Sequence, residues 1–135
     1  MSSSFGLLKN KEGKVLIVKP SYKENWMPVG GSVDLNEHPA VACKREFKEE
    51  VNLDVSVGEL IQVSSRIVEE DGERFDLFTF LFLVECDDLS VLKVDGDEII
   101  DYKWCELDEV SKYLRKSWTL RFENLKGCEV YFEMN

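Results

Sequence analysis

The chain has 135 residues, 44% of them hydrophobic and 33% charged, so one soluble domain spanning residues 1–135 is expected, with a real core and no general disorder. The balance of 17 Lys and Arg against 27 Asp and Glu gives a net charge of −10, which argues against a nucleic-acid polymer as partner, because that affinity comes from basic side chains neutralising phosphates. A small phosphorylated ligand stays open if divalent cations bridge the repulsion, and no apolar run approaches the roughly 20 residues of a membrane span.

Met1 to Phe5 carries no basic n-region and no apolar h-region, so it is not read as a signal peptide; Ser2, Ser3 and Ser4 read as a loose or engineered end. The four cysteines, Cys43, Cys86, Cys105 and Cys128, form no CxxC pair, and His38 has no second histidine with which to share zinc. Reduced thiols in a cytoplasmic protein fit this pattern better than a disulfide framework.

In chain order, Phe5–Leu8 is expected to form a hairpin with the apolar run Lys14–Val18, across the Glu12-Gly13 turn. Trp26-Met-Pro-Val-Gly-Gly31 reads as a rigid turn whose glycines let backbone approach a ligand or metal. Pro39–Val51 reads as a helix, with Pro at its first position and His38 as a structural N-cap. Ala40, Cys43, Phe47 and Val51 form its apolar stripe. Val55–Val63 alternates weakly. Phe75–Val84 is the strongest strand, with Phe78, Phe80, Phe82 and Val84 on one face and Leu77, Leu81 and Leu83 on the other. A strand apolar on both faces needs layers above and below it. Ile99–Trp104 reads as a late strand, and Asp108–Lys116 as a helix capped by Asp108. The fold class is therefore α/β, a mixed sheet sandwiched between helices.

The polar face of the central helix is the most informative feature. At 100° per residue, Glu49 lies about 60° to one side of Glu46 and Glu50 about 40° to the other. Like charges at these spacings repel, a local cost that a bound cation would reverse; a solvated acidic face is the alternative. Carboxylate oxygens suit Mg²⁺ or Mn²⁺. Arg45, four residues before Glu49, is at salt-bridge spacing and could hold that carboxylate in place.

Gly31, Glu37 and the run Arg45-Glu46-Phe47-Lys48-Glu49-Glu50-Val51-Asn52-Leu53 resemble the Nudix box, GX5EX7REUXEEXGU, over 23 residues with one departure. The Val15–Val18 run, the W-x-P-x-G-G approach and the Trp104-x-x-Leu-Asp-Glu109 ending also resemble the family. The departure is Asn52, where the family has Gly; Asn is the next best residue for a left-handed helix cap, so intact geometry is expected. Phe47 is larger than the usual aliphatic residue at its position.

The resemblance implies a Nudix fold and an Mg²⁺- or Mn²⁺-dependent hydrolase of nucleoside diphosphates linked to another moiety. By residue, it implies metal ligation by Glu46, Glu49, Glu50 and the Gly30 carbonyl. Arg45 would orient the carboxylates and Glu37 would structure the loop. Glu49 or a late-loop acid would be the general base, Glu98 being preferred to Asp97. Trp26 is open between base stacking and covering the core. Arg66 and Arg74 flank an expected hairpin, where such arginines are more often solvated, although either could reach phosphate. Trp118, Phe122 and Phe132 read as C-terminal packing. No proline or tyrosine marks Ile67–Glu70, as ADP-ribose or dinucleoside-polyphosphate members would have. Elimination favours a MutT-like hydrolase of a modified or deoxy nucleoside triphosphate. An NDP-sugar or ADP-ribose pyrophosphatase and a non-catalytic nucleotide sensor are the alternatives, and a monomer or homodimer is expected.

Overall fold

The computed structural model describes residues 1–116 and 118, together with the strand backbone of Phe132–Met134. The strands are β1 (Ser2–Leu8), β2 (Val15–Pro20), β3 (Met27–Ser32), β4 (Ser56–Glu70), β5 (Glu73–Glu85), β6 (Ile99–Cys105) and β7 (Phe132–Met134); the helix α1 spans Pro39–Val51. They form one mixed sheet in the order β6-β2-β3-β1-β5-β4-β7. β1 runs parallel to β5 and antiparallel to β3.

The apolar run of β2 is buried on both faces, as its composition requires. Leu16 and Val18 pack with Cys43, Phe47 and Val51 of α1, against Val29, Phe82 and Val84. Val15 and Ile17 pack on the other side with Phe5, Leu81, Val110, Leu114 and Trp118. Helical turns thus cover both faces of the sheet, which is the expected α/β class.

Local chemistry sets the bounds of α1. The His38 Nδ1 accepts the Ala40 N–H at 3.0 Å, and Pro39 opens the first turn. Asn52 ends the helix in the left-handed region (φ 59°, ψ 30°), where its N–H donates to the Lys48 carbonyl.

Four expectations are corrected. Ser2–Ser4 are not a loose end: they begin a central strand, Ser4 is fully buried, and its hydroxyl donates to the Pro39 carbonyl at 2.7 Å. β1 and β2 are not a paired hairpin, because β3 lies between them and a single Lys9–Val15 bridge joins their ends. The segment read as a rigid turn is that inserted strand; Gly30 permits it, since a Cβ there would come 2.2 Å from the Ser4 carbonyl oxygen. Finally, Asp108 caps no α-helix. Leu107–Lys112 is a 3₁₀ helix of about two turns with Glu106 at its N-cap, and this short piece buries one residue, Val110. On β5 the two apolar faces are as expected, except that Phe78 lies outside the packing of Phe80, Phe82 and Val84 and is 42% exposed.

Trp118 does pack in the core, edge-on to Phe5 at 4.7 Å. Cys43, Cys86 and Cys105 are free thiols. Phe122, Cys128 and the Phe132 side chain lie outside the described residues. Among the described residues, no helix is long and apolar enough to cross a membrane.

Candidate active site

A cavity of about 710 Å³ is walled by residues of α1, β1, β3, β4 and β5. One end is lined by Gly30, Gly31, Arg45, Glu46, Glu49, Glu50 and Glu98. The polar face of α1 therefore points into a cleft, and the solvated-face alternative fails for two of its three glutamates. Glu46 is 9% and Glu50 5% exposed, whereas the Glu49 side chain is 56% exposed at the mouth.

Arg45 organises this end. Its Nε donates to Glu37 Oε2 at 2.9 Å, and its Nη2 donates to Glu37 Oε1 and to the Ser32 carbonyl, both at 3.0 Å. Its Nη1 donates to Glu46 Oε1 and Glu49 Oε2, both at 3.2 Å. All five guanidinium donors have an acceptor, a fork that an ammonium could not reproduce. Asp34 adds an ion pair at 3.6 Å that the sequence reading missed. Glu37 in turn accepts the Asp34 N–H at 3.0 Å, tying the loop before α1 to the same arginine. The Arg45 hydrogen bonds, then the Asp34 N–H, hold the Glu37 carboxyl down to about 2.

The two deeper carboxylates behave oppositely. Burial, then the neighbouring Glu46 charge, pushes Glu50 up to about 9; the Gly30 N–H, which donates to Glu50 Oε1 at 3.0 Å, pulls the other way. Glu46 is also raised, by burial first, against the opposing charge of Arg45. Gly31 lies flat against this carboxylate, where a Cβ would come 2.7 Å from Glu46 Oε1. Two buried carboxyls short of compensating positive charge, beside the exposed Glu49 in an all-oxygen donor set, fit a hard divalent cation. Among the described residues, no three acidic, cysteine or histidine side chains already converge on an ion-sized point. Hydrogen bonds to Arg45 and Gly30 set their present orientation.

Of the two late-loop acids, Glu98 lines the cavity and Asp97 does not. The Asp97 N–H instead donates to Asp95 Oδ1, within the turn that leads into β6. Trp26 and Arg66 line the cavity as well. Trp26 also bridges Leu114 by backbone and meets the Tyr113 ring edge-on at 6.2 Å, so it both faces the cavity and closes the core. Arg66 is set in mid-β4 opposite Leu77, not at the solvated hairpin end, whereas Arg74 is exposed. The sequence reading missed three further lining residues, Tyr22, Lys23 and Arg115, which lie in no recognisable motif.

Residues 2–124 match the family model of the NUDIX domain. The chain belongs to the Nudix hydrolase family. Among solved structures it is similar to a MutT NUDIX hydrolase from Burkholderia pseudomallei, with TM-score 0.76 and 21% identity over 93% of this chain and 97% of that one. It is similar to the E. coli dihydroneopterin triphosphate pyrophosphohydrolase, with TM-score 0.74 and 20% identity over 90% and 92%. A C. elegans Ap4A hydrolase gives TM-score 0.73 and 22% identity over 90% and 92%. At these identities the likeness is one of fold. No curated protein sequence matches the chain.

Proposed function

We propose that this chain is a divalent-cation-dependent pyrophosphohydrolase of a small nucleotide, cleaving a modified or deoxy nucleoside triphosphate to the monophosphate and pyrophosphate. One observation carries the reading: Glu46, Glu49, Glu50 and Glu98 line one end of a single cavity beside Gly30 and Gly31. Two of the named solved structures act, by their names, on different phosphorylated substrates, Ap4A and dihydroneopterin triphosphate, so the choice of substrate rests on the absence of other subfamily markers in the sequence.

In this reading Glu46, Glu49, Glu50 and the Gly30 carbonyl hold Mg²⁺ or Mn²⁺. The cation supplies charge neutralisation at the phosphates and a more acidic water. Arg45 is a positioning residue that fixes Glu46 and Glu49 while Glu37 fixes Arg45. The reaction adds water across a P–O–P bridge. The water oxygen bonds to phosphorus, its proton passes to a carboxylate, and the bridging oxygen leaves with the pyrophosphate. Glu98 is the preferred proton acceptor and Glu49 the alternative. Trp26 and Arg66 contact the rest of the substrate. A cytoplasmic single domain, monomeric or dimeric, completes the proposal.

The test is hydrolysis of a panel of nucleoside triphosphates, dinucleotides and NDP-sugars, with and without Mg²⁺ or Mn²⁺. Metal-dependent release of pyrophosphate from one triphosphate, lowered by about 10²-fold or more in Glu49→Gln, is the expected result. Nucleotide-induced stabilisation without turnover would overturn it in favour of a nucleotide sensor.

A further inference from the structure

The cavity has two electrostatic ends. The carboxylates occupy one, and the wall beyond them holds Lys23, Arg66 and Arg115. In a chain of net charge −10, three cations on one cavity wall stand out against the rest of the surface. Arg45, the other lining arginine, has every donor satisfied; these three pair with no carboxylate among the described residues. The Nε of Arg66 is shut off from solvent and has no hydrogen-bond partner among the described residues. A buried donor left unmade costs free energy that a ligand acceptor would recover.

The cations also act on one another. Burial, then Arg66, lowers Arg115; burial, then Arg115 and Arg66, lowers Lys23. Tyr22, one residue before Lys23, is raised by burial and then by Glu50, Glu98 and Glu46. The boundary between the negative and positive ends thus falls between adjacent residues of the β2–β3 loop. Phe5, Met27, Leu77 and Trp118 line the cavity too and give it apolar wall.

We propose that Lys23, Arg66 and Arg115 receive a second anionic group of the substrate, a phosphomonoester or carboxylate on its organic half, distinct from the phosphates held at the glutamate end. A guanidinium pair suits either group, since both accept two parallel N–H bonds. The inference rests on the hydrolase reading for the glutamate end, and it departs from that reading in substrate: a diphosphate ester with an extra anion on its organic half takes the place of a nucleoside triphosphate.

Three matched pairs of compounds each differ by one anionic group. They are ADP-ribose and its 2′-phosphate, dephospho-coenzyme A and coenzyme A, and UDP-glucose and UDP-glucuronate. Calorimetric binding to the 135-residue Glu49→Gln protein in Mg²⁺ reads the preference without turnover. In at least one pair the more anionic member is expected to bind about tenfold tighter, the scale of one charge-assisted hydrogen bond. Arg66→Gln or Arg115→Gln, added to Glu49→Gln, should bring that ratio to near one, and Arg66→Lys should restore part of it. If one glutamine variant does not fold by its melting curve, the other carries the test. Equal binding within every pair, no binding to any compound, or a preference that survives both substitutions would overturn the proposal. Turnover of the pairs and of the triphosphate panel by the wild-type protein is measured separately: no turnover of either alongside an intact binding ratio would defeat the hydrolase reading and leave the anion site standing.

Discussion

Glu37 and Arg45 meet at two points, Nε to Oε2 at 2.9 Å and Nη2 to Oε1 at 3.0 Å, although eight residues and the start of a helix separate them. This pair engages Nε and Nη2 of the guanidinium and leaves Nη1 to touch Glu46 and Glu49. Glu37 therefore acts on the cavity carboxylates without reaching them.

Arg45→Lys separates this geometry from mere charge. An ammonium keeps the charge and loses the fork. The substitution is expected to cost about 1–2 kcal/mol of stability, given that the side chain is partly exposed, and to lower kcat/KM by about tenfold or more. Denaturant melts and steady-state kinetics check the two effects. Wild-type kinetics in Arg45→Lys would show that charge alone suffices.

The late-loop acids give a paired comparison. Glu98 lines the cavity, while Asp97 does not and donates its N–H to Asp95 within a turn. Glu98→Gln is expected to lower kcat by about 10²-fold, the usual scale for a lost general base, and Asp97→Asn should stay within about threefold of wild type, as surface changes do. An equal loss in the two variants would remove the basis for preferring Glu98.

The adjacent glycines should respond differently to the same added methyl group. At Gly30 it meets backbone, the Ser4 carbonyl oxygen at 2.2 Å; at Gly31 it meets the end of a side chain, Glu46 Oε1 at 2.7 Å. Backbone cannot step aside and a carboxylate can. Gly30→Ala is expected to destabilise by about 3 kcal/mol or more. Gly31→Ala should melt closer to wild type yet lose more activity than its stability explains, because the displaced group is Glu46. Thermal melts beside kinetics at a temperature where both variants are folded make the comparison.

Acid–base linkage predicts two opposing slopes in metal-free protein. Glu50 titrates near 4.5 when unfolded and is pushed up to about 9 when folded. Its contribution is full below about 4.5 and is lost as pH rises toward 9. Glu37, held down to about 2, contributes fully above about 4.5 and loses that contribution as pH falls toward 2. The melting temperature should therefore peak near pH 4.5–5 and decline on the alkaline side. Glu50→Gln should flatten the alkaline decline, and millimolar Mg²⁺ should raise the wild-type curve most at high pH, where the carboxylate is ionised. Calorimetric scans from pH 4 to 9 with and without Mg²⁺ check it. An alkaline slope unchanged in Glu50→Gln would assign it to other groups.

Local chemistry was legible from the residues alone. Pro39, His38 and Asn52 carry the ends of α1 in their own conformational preferences, and the Cys43–Phe47–Val51 stripe names its buried side. Pairings distant in sequence were not. The hydrophobic pattern of Phe5–Leu8 says that the strand is buried; it does not say that β3 and β5, rather than β2, flank it. The two smallest side chains of β3 resemble turn residues because the reason for their size, the close approach of Ser4 and Glu46, lies outside their own segment. At the site, Glu46, Glu49 and Glu50 share a helical face that spacing reveals. Lys23 and Arg115 reach the same cavity from a loop and from the chain beyond the 3₁₀ helix, and no periodicity joins those segments.

The central position of β1 has a consequence for the order of assembly. β4 and β5 are joined across the Asp71-Gly72 turn and can zip together locally, as can α1 on its own caps. β1 reaches β3 across a shorter span, Phe5 opposite Gly30, but it takes its place between two strands only when its parallel partner is in place, and that partner starts at Glu73, some seventy positions along the chain. Closing a loop of that length is slow compared with hairpin or helix formation. Ser4 and Phe5 form the wall against which Gly30 is seated, so the glycine cradle is completed only when the first strand docks. A nascent or refolding chain would acquire its helix and long hairpin early and its chemical competence late, in the step that brings the oldest residues to the middle of the sheet.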